Sequence, residues 1–242
     1  MASQHASRGG GERGGGVSGG EAKREGIGTV LKQERAIETR NEIIWAAATR
    51  FDETGYERAS LAEIVELTGF TKGALYFHFK SKDDLAAAII EEQHAISMNA
   101  VTAIRETGAP ALEQLVMLAY EMGREIVEDP VVRAGIRLTL EMSAEAGPST
   151  PYLDWIDGLR DVFAAAIDEG DISDTVDSAE LARYFVSAFT GVQLVSNVLT
   201  GRADLEERLD QMVSFVLASI VAPRRRHKID RYVHTRWSPA NA

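Results

Sequence analysis

Apolar residues recur at steps of three and four from Glu34 to Val221, and this helical period limits the fold more than any other feature of the chain. Such spacing places the apolar side chains on one face of a helix. No segment shows the alternation of apolar and polar residues that is typical of a half-buried strand. The sequence therefore predicts an all-α protein with about nine helices.

Two short predicted helices, Leu61–Thr68 and 71–79, are separated only by a tight turn. Ser60 and Glu63 have the spacing of a capping box at the start of the first helix, and Thr71 is the predicted cap of the second. This arrangement is typical of a helix-turn-helix, whose second helix enters the major groove of DNA. A generic helical hairpin is the alternative that the spacing alone leaves open.

The second helix of this pair divides into two predicted faces. Leu75 and Phe79 lie four residues apart and can face the core, which leaves Lys72, Tyr76 and His78 outward or on the flank. Tyrosine and histidine can bond phosphate oxygens, and lysine can reach a phosphate or a guanine edge. The outward residues therefore suit contact with DNA.

The charge of the chain is divided unevenly. The formal net charge is −11, and residues 83–222 alone hold eight basic and twenty-five acidic side chains. Residues 32–82 hold eight of each, and residues 223–242 hold six basic and one acidic. Such asymmetry indicates parts with different partners. With the helix-turn-helix, it divides the chain into a DNA-binding domain over 32–82, a second domain over 83–222 and a basic tail over 223–242. Residues 1–31 are rich in glycine, poor in large apolar side chains and predicted to be disordered.

The composition and motifs argue against an enzyme. The chain has no cysteine, so it has no disulfide, thiolate metal site or cysteine nucleophile. The Gly-x-Ser-x-Gly string at residues 16–20 lies in the glycine-rich segment, where no predicted strand precedes it, so it is not a nucleophile elbow. The His-Glu-x-x-His motif is absent, and the five histidines are scattered. Residues 184–201 carry no charge but are too polar to span a membrane. We predict a cytoplasmic, non-enzymatic protein with no catalytic residue, metal site or cofactor.

The run from Arg40 to Leu85 resembles the TetR family of bacterial transcriptional regulators. The matching residues are Arg40, Ile44, Ala47, Ala48, Phe51, Gly55, Tyr56, Ile64, Gly69, Thr71, Lys72, Gly73, Leu75, Tyr76, Phe79, Lys82 and Leu85. The string TKGALYFHF, followed by SK-D-L, is similar to the γ-butyrolactone autoregulator receptors of streptomycete-type actinobacteria. Residues 129–138 and the segment around Trp155 extend this similarity into the second domain.

The resemblance implies a TetR-like fold, with a three-helix DNA-binding domain and a C-terminal helical bundle for ligand binding and dimerisation. It implies a homodimeric repressor of secondary metabolism that a lactone- or furan-type effector releases from a pseudo-palindromic duplex operator. The DNA-binding residues that it implies are Arg40, Ser60, Thr71, Lys72, Gly73, Ala74, Tyr76, His78 and Lys82. Lys82 also lies at a predicted helix N-terminus, a position that suits a phosphate contact.

The same resemblance implies an effector pocket in which Trp155 covers a γ-butyrolactone, butenolide or furan. Gln93 and Thr190 are the polar anchors we predict. From the residues alone, Trp155 is equally an ordinary core aromatic, Gln93 a solvent-facing side chain and Thr190 a helix–helix contact. Ser187, Thr190, Gln193 and Asn197 form a polar stripe that requires either a neighbouring helix or a ligand as its partner.

In the resembling family the last two long helices form the dimer interface. They are predicted here to run from Ser178 to Leu199 and from Leu205 to Val221. Their apolar residues, which also suit the core of one subunit, are Phe185, Phe189, Val192, Leu209, Met212, Val213 and Phe215. The basic tail is predicted to be solvated, with contact to DNA or to an acidic partner as the alternative.

Two alternatives to a lactone-responsive repressor remain open in the sequence. One is a pseudo-receptor of the same fold that responds to antibiotics. The other is a DNA-binding protein that has no effector, and an apolar cavity in the folded chain would count against it.

Overall fold

A computed structural model describes residues 18–143 and 150–238, with the side chains of residues 32–142 and 151–238. Within these ranges the chain forms ten α-helices, a 3-10 helix over Pro223–Lys228 and no β-strand. The α-helices are α1 Ser18–Arg58, α2 Leu61–Thr68, α3 Lys72–His78, α4 Lys82–Glu106, α5 Ala111–Glu128, α6 Pro130–Ser143, α7 Thr150–Asp168, α8 Ser178–Thr200, α9 Leu205–Ile220 and α10 Ile229–Val233. The predicted all-α fold is confirmed.

The chain divides into two compact units, residues 1–42 and residues 43–242. Helix α1 begins at Ser18, so the prediction of disorder is wrong for residues 18–31, while residues 1–17 lie outside the described residues. A helix that is already nucleated extends at little cost through good helix formers such as Ala22, Lys23 and Glu25. Gly55, with φ 79°, interrupts α1 at the predicted position.

The helix-turn-helix has a core of its own within residues 43–242. Phe51 of α1, Ile64 of α2, Leu75 of α3 and Leu85 of α4 are fully buried and pack together. The same cluster includes residues of α6, among them Leu138. Because α6 completes this core, the DNA-binding helices rest on an element that follows them by about fifty positions in the chain.

A second core fills the rest of the bundle, where α5, α7, α8, α9 and α10 pack together. Its fully buried side chains include Leu112, Leu115, Phe163, Leu217 and Tyr232. Ile96 of α4 packs against both cores. Helix α4 therefore contributes to the DNA-binding end and to the bundle.

Helices α4 and α6 approach each other most closely at Gly135. A β-carbon at this position would lie 2.4 Å from Cβ of Gln93, far inside van der Waals contact. Only glycine fits between the two backbones at this point. The requirement is steric, because the backbone of Gly135 is ordinary helix.

Residues 223–238 are folded onto the bundle, so the prediction of a solvated tail is wrong. Tyr232 is 1% exposed, and Val233 is buried beside it. The basic side chains pair with carboxylates of the acidic domain, as Arg231 does with Glu113 at 2.8 Å. The excess of acidic residues over 83–222 supplies partners for this segment, and the burial of Tyr232 holds it in place.

Replacing Arg236 should test how strongly this segment stabilises the bundle. Its guanidinium lies 3.3 Å from the ring centroid of Tyr120 and 3.0 Å from the carboxylate of Asp210. We expect Arg236→Gln to lower the free energy of unfolding by about 0.5–1 kcal/mol, because Arg236 is partly exposed. Urea denaturation measures the change, and the exposed Arg226→Gln is the control. Equal stability of the two variants would contradict an anchoring role for Arg236.

None of the helices among the described residues combines the length and the apolar run that a membrane span requires. No group of three or more histidine, aspartate and glutamate side chains within the described ranges could hold a metal ion.

Candidate DNA-binding surface and effector cavity

Local capping fixes both ends of the turn between α2 and α3. The hydroxyl of Ser60 accepts the backbone N–H of Glu63 at 3.2 Å, and the Glu63 carboxylate accepts the backbone N–H of Ser60 at 3.1 Å. Gly69 ends α2 in the left-handed region, with φ 69°. The Thr71 hydroxyl then accepts the backbone N–H of Ala74 at 3.2 Å and starts α3. The predicted capping residues are confirmed.

The two faces of α3 agree with the prediction for its core residues. Leu75 and Phe79 are buried, whereas Lys72, Gly73 and Tyr76 are exposed on the opposite side. The remaining predicted contacts are partly covered, and they are Ala74 and His78. Phe77, which is 79% exposed, is an outward aromatic that the sequence interpretation missed. An exposed helix face with a lysine, a tyrosine and a second aromatic is suited to the major groove and its flanking phosphates.

Glu63 also ties α2 to α1. Its carboxylate accepts a hydrogen bond from Arg50 at 2.9 Å in addition to those from Ser60. The bonds to Arg50 and then to Ser60 hold the pKa of Glu63 below its usual value. Helix α2 is thus positioned by side chains as well as by its core.

Lys82 is engaged within the protein, and its predicted phosphate contact stays a prediction. Its Nζ donates to the carbonyl oxygens of Tyr56 at 2.9 Å, Ala59 at 3.3 Å and Glu57 at 3.4 Å. It also lies 4.2 Å from the ring centroid of Tyr56. A lysine has three N–H donors, and these carbonyls at the end of α1 account for all three.

Two other predicted phosphate contacts stay predictions. The hydroxyl of Ser60 donates to Glu63 at 3.0 Å, in addition to its role as a cap. Arg40 belongs to the unit of residues 1–42 and is half-buried.

An apolar cavity lies inside the bundle between α4, α5, α7 and α8. Its volume is about 90 Å³, well above the ~10–15 Å³ that one water molecule requires by the same measure. Apolar side chains form most of the wall, among them Met98, Val101, Leu118, Met122, Leu159 and Phe189. A mostly apolar cavity with few polar groups suits a small organic ligand.

Trp155 lines this cavity, as predicted, and a neighbouring tyrosine shares its wall. The rings of Tyr152 and Trp155 meet edge to face, with centroids 5.1 Å apart. Among the described residues, the indole Nε1 of Trp155 and the hydroxyl of Tyr152 are buried without a hydrogen-bond partner. Both groups can donate to a ligand oxygen. Sequence reasoning missed Tyr152, although its position one helical turn before Trp155 indicates a shared face.

Thr190 of α8 also lines the cavity, as predicted, and lies close to Tyr152. Burial raises the pKa of Tyr152. Tyr152 is therefore a neutral donor at the cavity wall.

Gln93 does not lie among the residues that line the cavity, and its role as a polar anchor for an effector stays a prediction. It is fully buried, and its Nε2 donates to Ser97 at 3.0 Å on the side of α4 that faces α6. Met98 lines the cavity five positions further along α4, which is about 140° around a helix. Gln193 of α8 supplies the amide of the cavity wall instead.

The polar stripe predicted on α8 is divided between different surroundings. Thr190 and Gln193 reach the cavity, whereas Ser187 is exposed and donates to the carbonyl of Arg183 at 2.7 Å. Asn197 lies in a neighbouring cleft. The polar residues on this face of α8 therefore border the cavity, the neighbouring cleft and solvent.

Five of the seven apolar residues predicted for the dimer surface belong to the core of one subunit. Those that are buried are Phe185, Phe189, Leu209, Met212 and Val213. Val192 is half-buried and packs against that core, whereas Phe215 is 77% exposed. The outward large apolar residues on α8 are instead Tyr184, Leu194, Val195, Val198 and Leu199. A helical period alone does not say which of two apolar faces is covered within the subunit.

Glu125 of α5 is a buried carboxyl beside Ser97 of α4. Burial and then the charges of Glu121 and Asp129 raise its pKa, Arg124 and Ser97 offset part of the rise, and the net pKa is about 7. In the folded protein it therefore keeps its proton up to near neutral pH, whereas in the unfolded chain it loses it near pH 4.5.

This difference predicts that stability falls as pH rises from about 4.5 to 7, because the folded state binds more protons than the unfolded chain in that range. The loss is up to about 3 kcal/mol. We expect Glu125→Gln to remove this dependence and to exceed the parent in stability at pH 8. Urea denaturation from pH 4.5 to 8 measures both chains, with the exposed Glu92→Gln as control. If the free energy of unfolding changes with pH in the same way in the parent and in Glu125→Gln, Glu125 is not the source of the pH dependence.

Comparisons with known proteins agree with this geometry. Residues 43–89 match the family described as bacterial regulatory proteins, tetR family. Residues 109–222 match the tetracyclin repressor-like C-terminal domain. The helix-turn-helix falls inside the first match, and the cavity residues Trp155 and Thr190 fall inside the second.

Individual relatives extend over most of the chain. The A-factor receptor protein of Streptomyces griseus is 38% identical over 194 residues, which cover 80% of this chain and 68% of the relative. A crystal structure of a γ-butyrolactone receptor has a TM-score of 0.73 at 33% identity and covers 82% of this chain and 96% of its own. The structure of CprB of Streptomyces coelicolor in complex with its operator has a TM-score of 0.71 at 35% identity. The match covers 82% of this chain and 94% of CprB.

These likenesses cover the DNA-binding helices and the bundle together. The matched families consist of regulators and not enzymes, in agreement with the prediction from motifs. The chain belongs to the TetR family of bacterial transcriptional regulators and is similar to the γ-butyrolactone receptors within it.

Proposed function

We propose that the protein is a cytoplasmic repressor that binds a pseudo-palindromic operator and leaves it when a γ-butyrolactone-type effector fills the bundle cavity. The observation that carries the proposal is the position of α4. Its N-terminus directly follows the recognition helix α3, and Met98 and Val101 near its middle line the cavity. A ligand in the cavity therefore touches the helix to which the DNA-binding surface is attached.

The cavity chemistry supports an effector with oxygen acceptors and an apolar chain. The donors of Tyr152 and Trp155 suit a lactone carbonyl, and the surrounding apolar wall suits an alkyl group. The relatives named as receptors for A-factor and for γ-butyrolactone support this class of ligand. A pseudo-receptor that responds to antibiotics would use the same cavity, and ligand titration separates the two.

A dimer would place two copies of α3 on one duplex. The exposed apolar residues of α8 and α9, which include Tyr184, Val198 and Phe215, form the surface we propose for the contact. Exposed apolar area of this kind typically marks a site at which one protein subunit contacts another. The two-fold symmetry of such a dimer requires an operator with two related half-sites.

Selection from a pool of random duplexes, followed by footprinting, tests the proposal. We expect two inverted half-sites whose centres are about 10 base pairs apart or a multiple of that spacing. A duplex of equal length and unrelated sequence is the control. A single asymmetric half-site, or no enrichment over the control, would contradict a dimeric operator-binding protein. Fragments from biosynthetic gene clusters then test the proposed role in secondary metabolism.

A further inference from the structure

A polar cleft lies beside the effector cavity, and the two share Ile136 and Gln193 in their walls. Three arginines line the cleft, namely Arg133 and Arg137 of α6 and Arg202 of the turn between α8 and α9. Its volume is about 230 Å³. The proposed lactone site does not use this cleft or its arginines.

Two of the three guanidinium groups are held by short hydrogen bonds. Arg133 pairs with the carboxylate of Asp52 at 2.6 Å and donates to the carbonyl of Val127 at 2.9 Å. Arg137 pairs with Glu141 at 2.6 Å and donates to the backbone carbonyl of Asp52 at 2.5 Å. Both arginines are therefore anchored in place.

Arg202 is the third guanidinium, and its pairing is incomplete. Its Nη2 lies 3.4 Å from the carboxylate of Asp52, beyond the ~2.7–2.9 Å of a strong charge-assisted hydrogen bond. Its Nε is buried and has no partner among the described residues. Arg202 is also the sole non-glycine residue in the described part of the chain with positive φ, at 73°. Strained backbone of this kind clusters at functional sites.

The charges around Arg202 favour an additional anion. Among the described residues, three guanidinium groups face two carboxylates, those of Asp52 and Glu141, so these side chains leave one positive charge unbalanced. Burial lowers the pKa of Arg202, and Arg133 and Arg137 lower it further, while Asp52 offsets part of the change. A bound anion would complete the pairing that Asp52 leaves unfinished.

We propose that this cleft binds the carboxylate of a small organic acid through Arg202. Carboxylates match the planar donor geometry of a guanidinium, which can form two parallel hydrogen bonds. The side of the cleft away from the charges is apolar and would cover a short alkyl chain. It is formed by Ile126, Ile136, Leu140 and Leu194. This apolar side would favour an organic acid, which has an alkyl chain to bury, over an inorganic anion, which has none.

The acid and Asp52 would compete for the same guanidinium. Asp52 lies in the last part of α1, directly before the helix-turn-helix, and its bond to Arg202 joins α1 to the turn after α8. An acid that takes Arg202 would remove this link. Any effect on operator affinity rests on the proposed function, whereas binding of the acid does not.

Isothermal titration calorimetry of the full chain at constant ionic strength tests the site with sodium hexanoate and with 1-hexanol. We expect hexanoate to bind at least about tenfold more tightly, because hexanol cannot pair with a guanidinium. Arg202→Gln should weaken hexanoate at least about tenfold. Asp52→Asn should strengthen it, because the competing carboxylate is lost. Arg160→Gln on α7, whose arginine is exposed, is the matched control and should leave binding unchanged.

The opposite signs for Arg202→Gln and Asp52→Asn separate a binding site from damage to the fold, which would weaken binding in both variants. Thermal melts of both variants confirm that each is folded. Equal affinity for hexanoate and hexanol, or parental affinity in Arg202→Gln, would overturn the proposal. Inorganic phosphate that bound as tightly as hexanoate would overturn the assignment to an organic acid. None of these outcomes depends on operator or lactone binding.

Discussion

A protein that carries Trp155→Ala should bind its operator like the parent and fail to leave it when a γ-butyrolactone is added. Trp155 lines the cavity and contacts Tyr152, and it is remote in the chain from α2 and α3. Removal of this aromatic wall should cost the effector about 1.5–3 kcal/mol of contact, or roughly 10–200-fold in affinity. An effector shifts the DNA equilibrium only by its preference for the unbound form, so the response is lost with that affinity.

Operator binding is measured with and without a synthetic acyl-γ-butyrolactone for the parent, Trp155→Ala and Trp155→Phe. The phenylalanine variant keeps an apolar wall and removes the indole N–H, so an intermediate response separates packing from hydrogen bonding. A thermal melt reports any loss of folding, because Trp155 also packs against the bundle core. If Trp155→Ala leaves the operator at the same lactone concentration that releases the parent, the effector binds elsewhere.

The combined variant Lys72→Ala, Tyr76→Ala should lose operator affinity and keep its lactone affinity. Both side chains are exposed on α3, so their removal costs little core packing. Each lost contact to a base or a phosphate is worth about 1–3 kcal/mol, and a dimer loses it at both half-sites. We expect a loss of operator affinity of at least a hundredfold at fixed salt.

Fluorescence anisotropy with the selected operator measures this loss, and calorimetry with the lactone measures the effector site. Arg160→Ala is the control, because it removes a cation from an exposed position on α7. Parental operator affinity in the combined variant would show that α3 is not the reading helix. A parallel loss of lactone affinity would indicate a general defect in folding.

Local chemistry made much of the fold predictable. Ser60, Gly69 and Thr71 act on the backbone within four residues of themselves, so their effects can be inferred from spacing alone. Leu75 and Phe79 were assignable to the core of the DNA-binding end because the helical period leaves few alternatives.

The contacts that could not be inferred from the sequence involve partners that are distant in the chain. Gln93 and Gln193 are both buried amides, and only the packing of α4 on α6 decides which one meets the cavity. Lys82 was predictable as a cation at a helix start but not as the partner of carbonyls at the end of α1. Tyr232 shows the same effect, because a short basic segment has no fold until the acidic bundle covers it.

The contact between Gly135 and Gln93 has a mechanical consequence. Because the backbone of Gly135 already packs against the β-carbon of Gln93, α4 and α6 cannot approach each other more closely at this point, and a displacement of one helix here is passed to the other. Ile136, the next residue of α6, borders both the effector cavity and the cleft lined by the three arginines. If the proposed ligands bind, both would contact Ile136 of α6, and α6 packs on α4, the helix that follows the recognition helix.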